Sequence, residues 1–490
     1  MLSLEQLPEG TLIPRYDRNR LRARIVHIGF GAFHRSHQAV CADRLAAEHN
    51  SDWGYCECET STFNQGELIN ALRQQDMLYS VTEMADSGLS TRVVGVVRQA
   101  LYRNGDGIDA VIAAMCQPEV AIVSITVTEK GYCYQPATGQ LIVDHPAIVH
   151  DLAHPEEPES VPGVILAAIR RRRDAGLPPF SVMSCDNMPE NGHVTRNVVT
   201  QLAEQIDPAL ADYIRTHITF PSTMVDRIVP AMTEQAFDAL KEKLGCADPA
   251  GVQCEPFFQW VIEDNFVNGR PEWEKAGAEL VADVLPFEEM KLRMLNGSHS
   301  LLAYLGYLAG YEHISDCMSD EAFLQAARKL MLDEQAPTLR TENVDLVAYA
   351  DSLIARYKNR AIRHRTYQIA TDGTQKLPQR WLDSIRWHLN NGSRFDLLAL
   401  GVAGWIRFVG GVDEQGQPII INDPMHETLA QLVATSEQGE PRVAALLSLK
   451  SVFGEDLPDS SAFREKVIHY YALLLKVGAK EAVRQVVAAY

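Results

Sequence analysis

Long apolar runs are missing from this sequence. No stretch reaches the roughly 18 consecutive apolar residues that a membrane-spanning helix needs. The opening residues, MLSLEQLPEGTLIPRYDRNR, hold no apolar core of signal-peptide length. Both absences predict a cytoplasmic protein. Positive charge is scarce: 45 Lys and Arg face 64 Asp and Glu, for a net charge of −19 and a pI near 5.3. That field argues against nucleic acid and against anionic membranes as partners, and an anionic substrate would need a local basic pocket. The nine cysteines form no CxxC and no disulfide framework, which suits reduced thiols in a cytosolic enzyme. Cys56 and Cys58 flank one residue of an expected strand and should share a face. No zinc-ligand spacing occurs, since His34 and His37 are a close pair without nearby third and fourth ligands. No metal is therefore expected. Internal repeats and low-complexity linkers are also absent.

What is present is a chain of 490 residues, 46% hydrophobic and 22% charged, too long for one ordinary core. Its first half alternates strand and helix signals. Strands are expected at 24–28 (RIVHI), 53–59, 120–128 (VAIVSITVT) and 180–185. Helices are expected at 38–48, 108–115 and 192–204. Such alternation indicates an α/β, Rossmann-type domain with a mainly parallel sheet covered by helices on both faces. After about residue 285 the segments 322–332, 346–357, 378–389 and 461–477 read as helices, with few strand signals. We expect a Rossmann-type domain over 1–285 and a mainly helical domain over 286–490, with the substrate in a cleft between them.

The run Ile25-Val-His-Ile28-Gly29-Phe30-Gly31-Ala32-Phe33-His34-Arg35 follows a strand and opens a helix. Gly29 allows a tight turn, and Gly31 lets a pyrophosphate approach the backbone at a helix N-terminus. The third glycine of the dinucleotide fingerprint is missing, and His34 stands in its place. Ile28 to Phe33 are the expected cofactor contacts. The acid for the adenosine ribose should end the second strand. Glu57 and Glu59 are the candidates, with Glu59 nearer the strand end.

Lys291-Leu-Arg-Met-Leu-Asn296-Gly-Ser-His299 puts an amine, an amide and an imidazole into nine residues that read as helix. At roughly 100° per residue the three fall within an arc of about 140°. One face can then present a general base, a donor to a developing alkoxide and an orienting imidazole. A solvated helical face fits the same spacing. Asn187, in the polar loop Ser184–Gly192, offers a second amide, although the loop also has ordinary turn chemistry. Asp226 and Arg227 are an acid and a base in an apolar run, and Asp226 is suited either to a lysine or to its neighbour. Glu129 and Lys130 end the 120–128 strand, where Glu129 could relay a proton or simply form a surface turn. Arg365, Lys376 and Arg380 belong to a basic cluster in an acidic chain and suit an anion.

Together, IVHIGFGAFHRSHQ, SITVTEKGY, VMSCDNMPENGHV, FPSTMVDRIVP, CEPFFQWVIEDNFVNGRPEW, KLRMLNGSHSLLAYLGYLAGY and QIATDGTQKLPQR resemble the mannitol dehydrogenase family of polyol-specific long-chain dehydrogenases. Within it they look most like the fructuronate reductases, or D-mannonate oxidoreductases. The resemblance implies hydride transfer with NAD, NADP being the alternative, and no zinc. It implies Lys291 as general acid and base, Asn187 and Asn296 as the oxyanion hole, and His299 as the orienter of substrate. Asp226 would sit near the lysine, and Glu129 would gate proton exchange with water. Arg365, Lys376 and Arg380, with Lys130 as an outside candidate, would hold a sugar-acid carboxylate. Mannitol dehydrogenases carry an arginine eight residues before the lysine that matches Lys376, whereas Gln368 stands here, as in fructuronate reductases. The rival readings are a dehydrogenase acting on altronate and tagaturonate or on mannitol and fructose, and a dinucleotide-binding sensor without catalysis. The oligomeric state is left open, a monomer included.

Overall fold

Alternation along Arg22–Ile28 (β1) sets the centre of the first sheet. Val26 and Ile28 face one apolar core and Ile25 faces another, as the two-residue period of a strand requires. The computed structural model describes residues 1–136 and 138–490. The chain divides into two compact units, Met1–Leu285 and Pro286–Tyr490.

Further strands of the first unit are β2 (Trp53–Glu59), β3 (Tyr79–Ala85), β4 (Gly88–Val94), β5 (Val97–Tyr102), β6 (Ile122–Ile125), β7 (Ser181–Ser184) and β8 (Thr223–Asp226). They are followed by β9 (Val252–Cys254), β10 (Gln259–Glu263) and β11 (Glu279–Val281). Five form an all-parallel sheet in the order β5-β2-β1-β6-β7. Numbered among themselves, these strands run 3-2-1-4-5, the Rossmann order, with the strand order switching sides between β1 and β6. Helices Ile108–Met115, Val161–Asp174 and Asn191–Ile206 pack on one face, and Gln38–His49 and Glu67–Gln74 on the other. Val161–Asp174 starts where the Ser160 hydroxyl accepts the Gly163 N–H, with Pro162 in its first turn. The strand expected at 120–128 pairs only over Ile122–Ile125, because the chain beyond it turns out of the ladder into a polar loop. Two small sheets, β4-β3-β9 and β11-β10-β8, were not foreseen. Apart from the β3–β4 hairpin, their pairings, such as Val81 with Val252, join segments separated in sequence.

The second unit is helical. Gly297–Leu308 and Asp396–Val409 form its buried centre. Asp396–Val409 is apolar almost all round, the pattern of a helix enclosed by others. A Cβ at Gly404 would come within 2.8 Å of Leu305, so a glycine lets these two helices approach. Three segments are π-helical: Lys291–Asn296, Leu330–Gln335 and Pro378–Leu382. The segments expected as plain helices at 322–332 and 378–389 thus each contain one wide turn. Among the described residues, no helix is long and apolar enough to cross a membrane.

Candidate active site

The glycine turn follows β1 at the point where the sheet order reverses. Gly29 has φ +99°, and a Cβ there would meet the Thr126 carbonyl oxygen at 2.0 Å, so only glycine fits. Gly31 caps the short helix Ala32–Ser36 without a side-chain bond, and nothing lies within 4 Å of where its Cβ would be. That open space above bare backbone suits a pyrophosphate. Ile28 and Phe30 bury their side chains, so only their main chains can face a ligand. Ala32 and Phe33 are half-buried, and Phe33 stacks on His37 at 4.8 Å.

The structure separates the two acids of β2. Glu57 is fully buried and accepts from His34 Nε2 at 2.7 Å. Glu59 Oε1 accepts the Phe30 N–H at 2.8 Å, and its other oxygen takes no hydrogen bond among the described residues. Of the two acids, Glu59 alone is not wholly buried and keeps a free acceptor, as a ribose-binding carboxylate requires. Burial raises its pKa, and the Phe30 N–H opposes that shift. His34, in place of the third glycine, is wholly buried and stacks on His27 of β1, and the short helix that carries it breaks at His37 (φ −118°, ψ −88°) before Gln38–His49 begins.

Strand pairing also does what sequence spacing could not show. His27 and Glu57 are register partners, so the ligand atoms of His27, His34 and Glu57 lie within 4.8 Å of one another. The donor set does not suit a shared ion. The two imidazoles stack with centroids 3.4 Å apart and planes 10° apart, so their in-plane lone pairs cannot converge. His27 Nδ1 pairs with Ser124 Oγ at 2.6 Å and Nε2 with Thr126 Oγ1 at 2.8 Å, while His34 Nδ1 pairs with Gln38 at 2.9 Å. Treatment of the purified protein with a strong chelator should leave both turnover and thermal midpoint unchanged. Stoichiometric metal whose removal lowers either would make this cluster a metal centre.

Glu129, Lys130 and Asn187 are exposed on the loops after β6 and β7. Asp226 ends β8 and is buried. Arg227 donates to Glu83 at 2.8 Å, Ser36 O at 2.7 Å and Glu255 O at 3.0 Å. Two residues passed over in the sequence tie these loops together. The Asp186 carboxylate accepts the N–H groups of Val127 at 3.1 Å and Thr128 at 2.9 Å, and the Tyr132 hydroxyl. The Asn191 amide donates to Asp186 O at 3.0 Å and Thr223 O at 2.9 Å and accepts from Thr223 N at 2.9 Å. Their signal was hidden because Asp and Asn in such a loop read as turn formers.

In the second unit, Lys291 and Asn296 bracket a π turn rather than lying on a plain α-helix. The geometric consequence is favourable. Residues five apart in an α-helix diverge by about 140°, whereas the wider i→i+5 turn of a π-helix narrows that divergence and brings them toward one face. Lys291 is buried at 8% exposure, and Asn296 is half-buried. The wide turn frees carbonyls from the regular ladder, and side chains take them up. Ser298 Oγ donates to Met294 O at 2.6 Å and Tyr357 OH to Leu295 O at 2.9 Å. Arg380 donates to Asn296 O at 3.3 Å and to Ser300 Oγ at 2.8 Å, and Trp381 Nε1 to Gly297 O at 2.9 Å. Each buried carbonyl left alone would cost about 1–3 kcal/mol. The Asn296 side-chain amide itself makes no hydrogen bond among the described residues, so it can donate to a ligand.

His299 follows one turn later, with Tyr357 stacked at 5.3 Å and His364 edge-on at 4.7 Å. Burial drives its pKa well below 6.5, and the charges of His364, Arg380, Arg356 and Lys376 push the same way. It is therefore a neutral imidazole near pH 7. Lys376 donates to Ile369 O at 3.1 Å, and burial with Arg380 beside it lowers its pKa to about 8. Arg365 is exposed at the start of the Thr366–Ile369 helix. Arg356 and Tyr357 carried no sequence signal, and His364 showed only as part of the basic run 363–380, because only tertiary packing brings them beside His299.

Residues 23–275 match the mannitol dehydrogenase Rossmann domain, and residues 283–475 match the mannitol dehydrogenase C-terminal domain. An uncharacterised oxidoreductase of Escherichia coli K12 is 61% identical over 96% of each chain. The D-mannonate oxidoreductase of the same organism is 52% identical, over 96% of this chain and 97% of its own. Among solved structures, Pseudomonas fluorescens mannitol 2-dehydrogenase in ternary complex with NAD and D-mannitol is similar with a TM-score of 0.80. It is 36% identical, over 99% of this chain and 98% of that one.

Proposed function

Because the chain belongs to the mannitol dehydrogenase family, we propose that it is an NAD-dependent, metal-independent reductase of D-fructuronate that forms D-mannonate. The observation that carries the substrate choice is electrostatic. In a chain of net charge −19, the cations Arg380, Arg356 and Lys376 gather around His299. A hexuronate brings a carboxylate that a ketohexose lacks, and arginine and lysine are its natural partners. The relative named for D-mannonate supports the same choice.

NAD, held by the Gly29–Gly31 turn and Glu59, would supply or accept the hydride at its nicotinamide ring. The remaining chemistry belongs to this chain. In reduction, the Lys291 ammonium gives its proton to the carbonyl oxygen as that oxygen gains charge, and in oxidation the neutral amine takes it back. Asn187 and Asn296 donate to the same oxygen. Neutral His299 orients a substrate hydroxyl. Asp226 steadies the lysine, and Glu129 passes its proton to water.

The direct test is a panel of fructuronate, tagaturonate, fructose and their reduced partners, each with NADH or NADPH and the corresponding oxidised cofactor. Fructuronate with NADH should give the highest kcat/KM. A preference for fructose would move the assignment to a polyol dehydrogenase, and one for tagaturonate to an altronate enzyme. Cofactor binding without turnover on any sugar would leave the sensor reading.

A pH prediction follows from Lys376. Its pKa of about 8 keeps it cationic below that pH and neutral above it. If Lys376 grips the carboxylate, KM for fructuronate should climb between pH 7 and 9 while KM for fructose stays level. Lys376→Met should flatten that climb and cost about ten- to a hundred-fold in kcat/KM on fructuronate alone. Arg380 is a poorer test, because its guanidinium also holds Asn296 O and Ser300, so its loss should harm both sugars. Equal losses on both sugars for Lys376→Met would assign the carboxylate to Arg365 or Lys130 instead.

A further inference from the structure

We propose that Asp186 is a positioning residue that sets Glu129 for proton transfer, by clamping the loop after β6 in a strained conformation; this rests on the proton-relay role given above to Glu129. Thr128 has φ +66° and ψ 167°. That region is rarely occupied by any residue but glycine, and a β-branched residue there is a strained outlier. Something must hold it. The Asp186 carboxylate does so, accepting the N–H groups of Val127 at 3.1 Å and Thr128 at 2.9 Å. The Tyr132 hydroxyl donates to the same carboxylate and pairs with Ser184 Oγ at 2.6 Å. One buried side chain thus binds both sides of the residue next to Glu129.

The clamp is anchored as well as clamping. The Asp186 backbone carbonyl accepts from the Asn191 amide at 3.0 Å, and that amide also ties down Thr223 at the start of β8. Asp186 therefore links two loops and a strand: the loop bearing Glu129, its own loop with Asn187, and through Asn191 the strand ending in Asp226. The charge of Glu129 reaches Asp186, and both carboxylates act on Tyr134. An aspartate suits the place because three donors converge on it. Asparagine offers one acceptor oxygen, and its NH₂ would face an N–H or O–H donor. A simple loop tether would need neither the strain at Thr128 nor a carboxylate surrounded only by donors.

The test is a double-mutant cycle on the whole enzyme, with Glu129→Gln, Asp186→Asn and the pair. Turnover, solvent deuterium isotope effect, NADH affinity and thermal midpoint are read for each. Glu129→Gln should lower kcat and raise the solvent isotope effect. Asp186→Asn should do the same, by about ten-fold or more, with NADH affinity within two-fold of wild type, on the order of the scatter expected for an untouched site. The pair should be no slower than the worse single variant, because both damage one step. Multiplying losses, or an Asp186→Asn defect without a raised isotope effect, would overturn the proposal. A Glu129→Gln variant with normal kcat and isotope effect would instead sink the proton-relay role. Should Asp186→Asn fold poorly, two gentler variants decide. Thr128→Gly removes the strain that the clamp offsets, so the Thr128→Gly/Asp186→Asn variant should fold and recover much of the turnover that Asp186→Asn loses. Tyr132→Phe removes one donor and should reproduce part of the raised isotope effect. Failure of both to act in this direction would also refute the clamp.

Discussion

Replacing Lys291 by methionine should lower kcat by about a hundred- to ten-thousand-fold, the usual contribution of general acid–base catalysis, while leaving NADH affinity intact. Methionine is chosen because the lysine is buried at 8% exposure, between the core residues Met290 and Met294 along the chain. A similar unbranched stem limits the cavity that alanine would leave. NADH is assigned to the first unit, and Lys291 belongs to the second, so the two readouts separate. The pH dependence attributable to the amine should vanish with it. A Lys291→Met enzyme with near wild-type kcat across the pH range would remove lysine from the proton step. The assignment would then pass to a group that a lysine-based mechanism does not use as its base. Loss of turnover together with loss of NADH affinity would point to damage beyond the proton step.

How far the sequence could go is visible in this same segment. The order of residue types was legible: an amine, an amide and an imidazole on one run, bounded by apolar positions. The shape of the turn was not. An α-helical reading spreads Lys291 and Asn296 over about 140°, and only the wider π turn brings them toward one face. That turn depends on donors from Arg380, Trp381 and Tyr357, more than sixty residues away or in other helices. The same limit applies to the first unit. Gly29 and Gly31 were readable because a turn restricts backbone locally. Position at the strand end alone favours Glu59 over Glu57, and the physical reason appears only once β1 pairs with β2 and His34 claims Glu57. The β3–β4 hairpin left a turn signal in Asp86-Ser-Gly88 that the reading passed over, whereas the pairing of β3 with β9 left none. Asp186 and Asn191 are the clearest misses. Their residue types suit a turn, and they do form one, but their side chains reach across it to hold neighbouring loops.

Removing an oxyanion donor should be the second large effect. Asn296→Ala and Asn187→Ala should each lower kcat by about a hundred- to a thousand-fold with little change in KM, since such donors act chiefly on the charge that develops during reaction. Asn296 is the cleaner of the two. The Arg380 guanidinium holds its backbone carbonyl, not its amide, so the π turn should survive truncation of the side chain. Asn296→Asp should be worse than Asn296→Ala, because a carboxylate both withdraws the donor and repels the alkoxide. If both amides serve one oxygen, Asn187→Ala/Asn296→Ala should lose less than the product of the two single losses. Losses that multiply would mean that the amides serve different atoms. A loss confined to KM would make either asparagine a binder of ground-state substrate. Asn296→Asp matching or exceeding wild type would show that no negative charge develops beside that residue, and the hydride would then have to reach a carbon whose oxygen lies elsewhere.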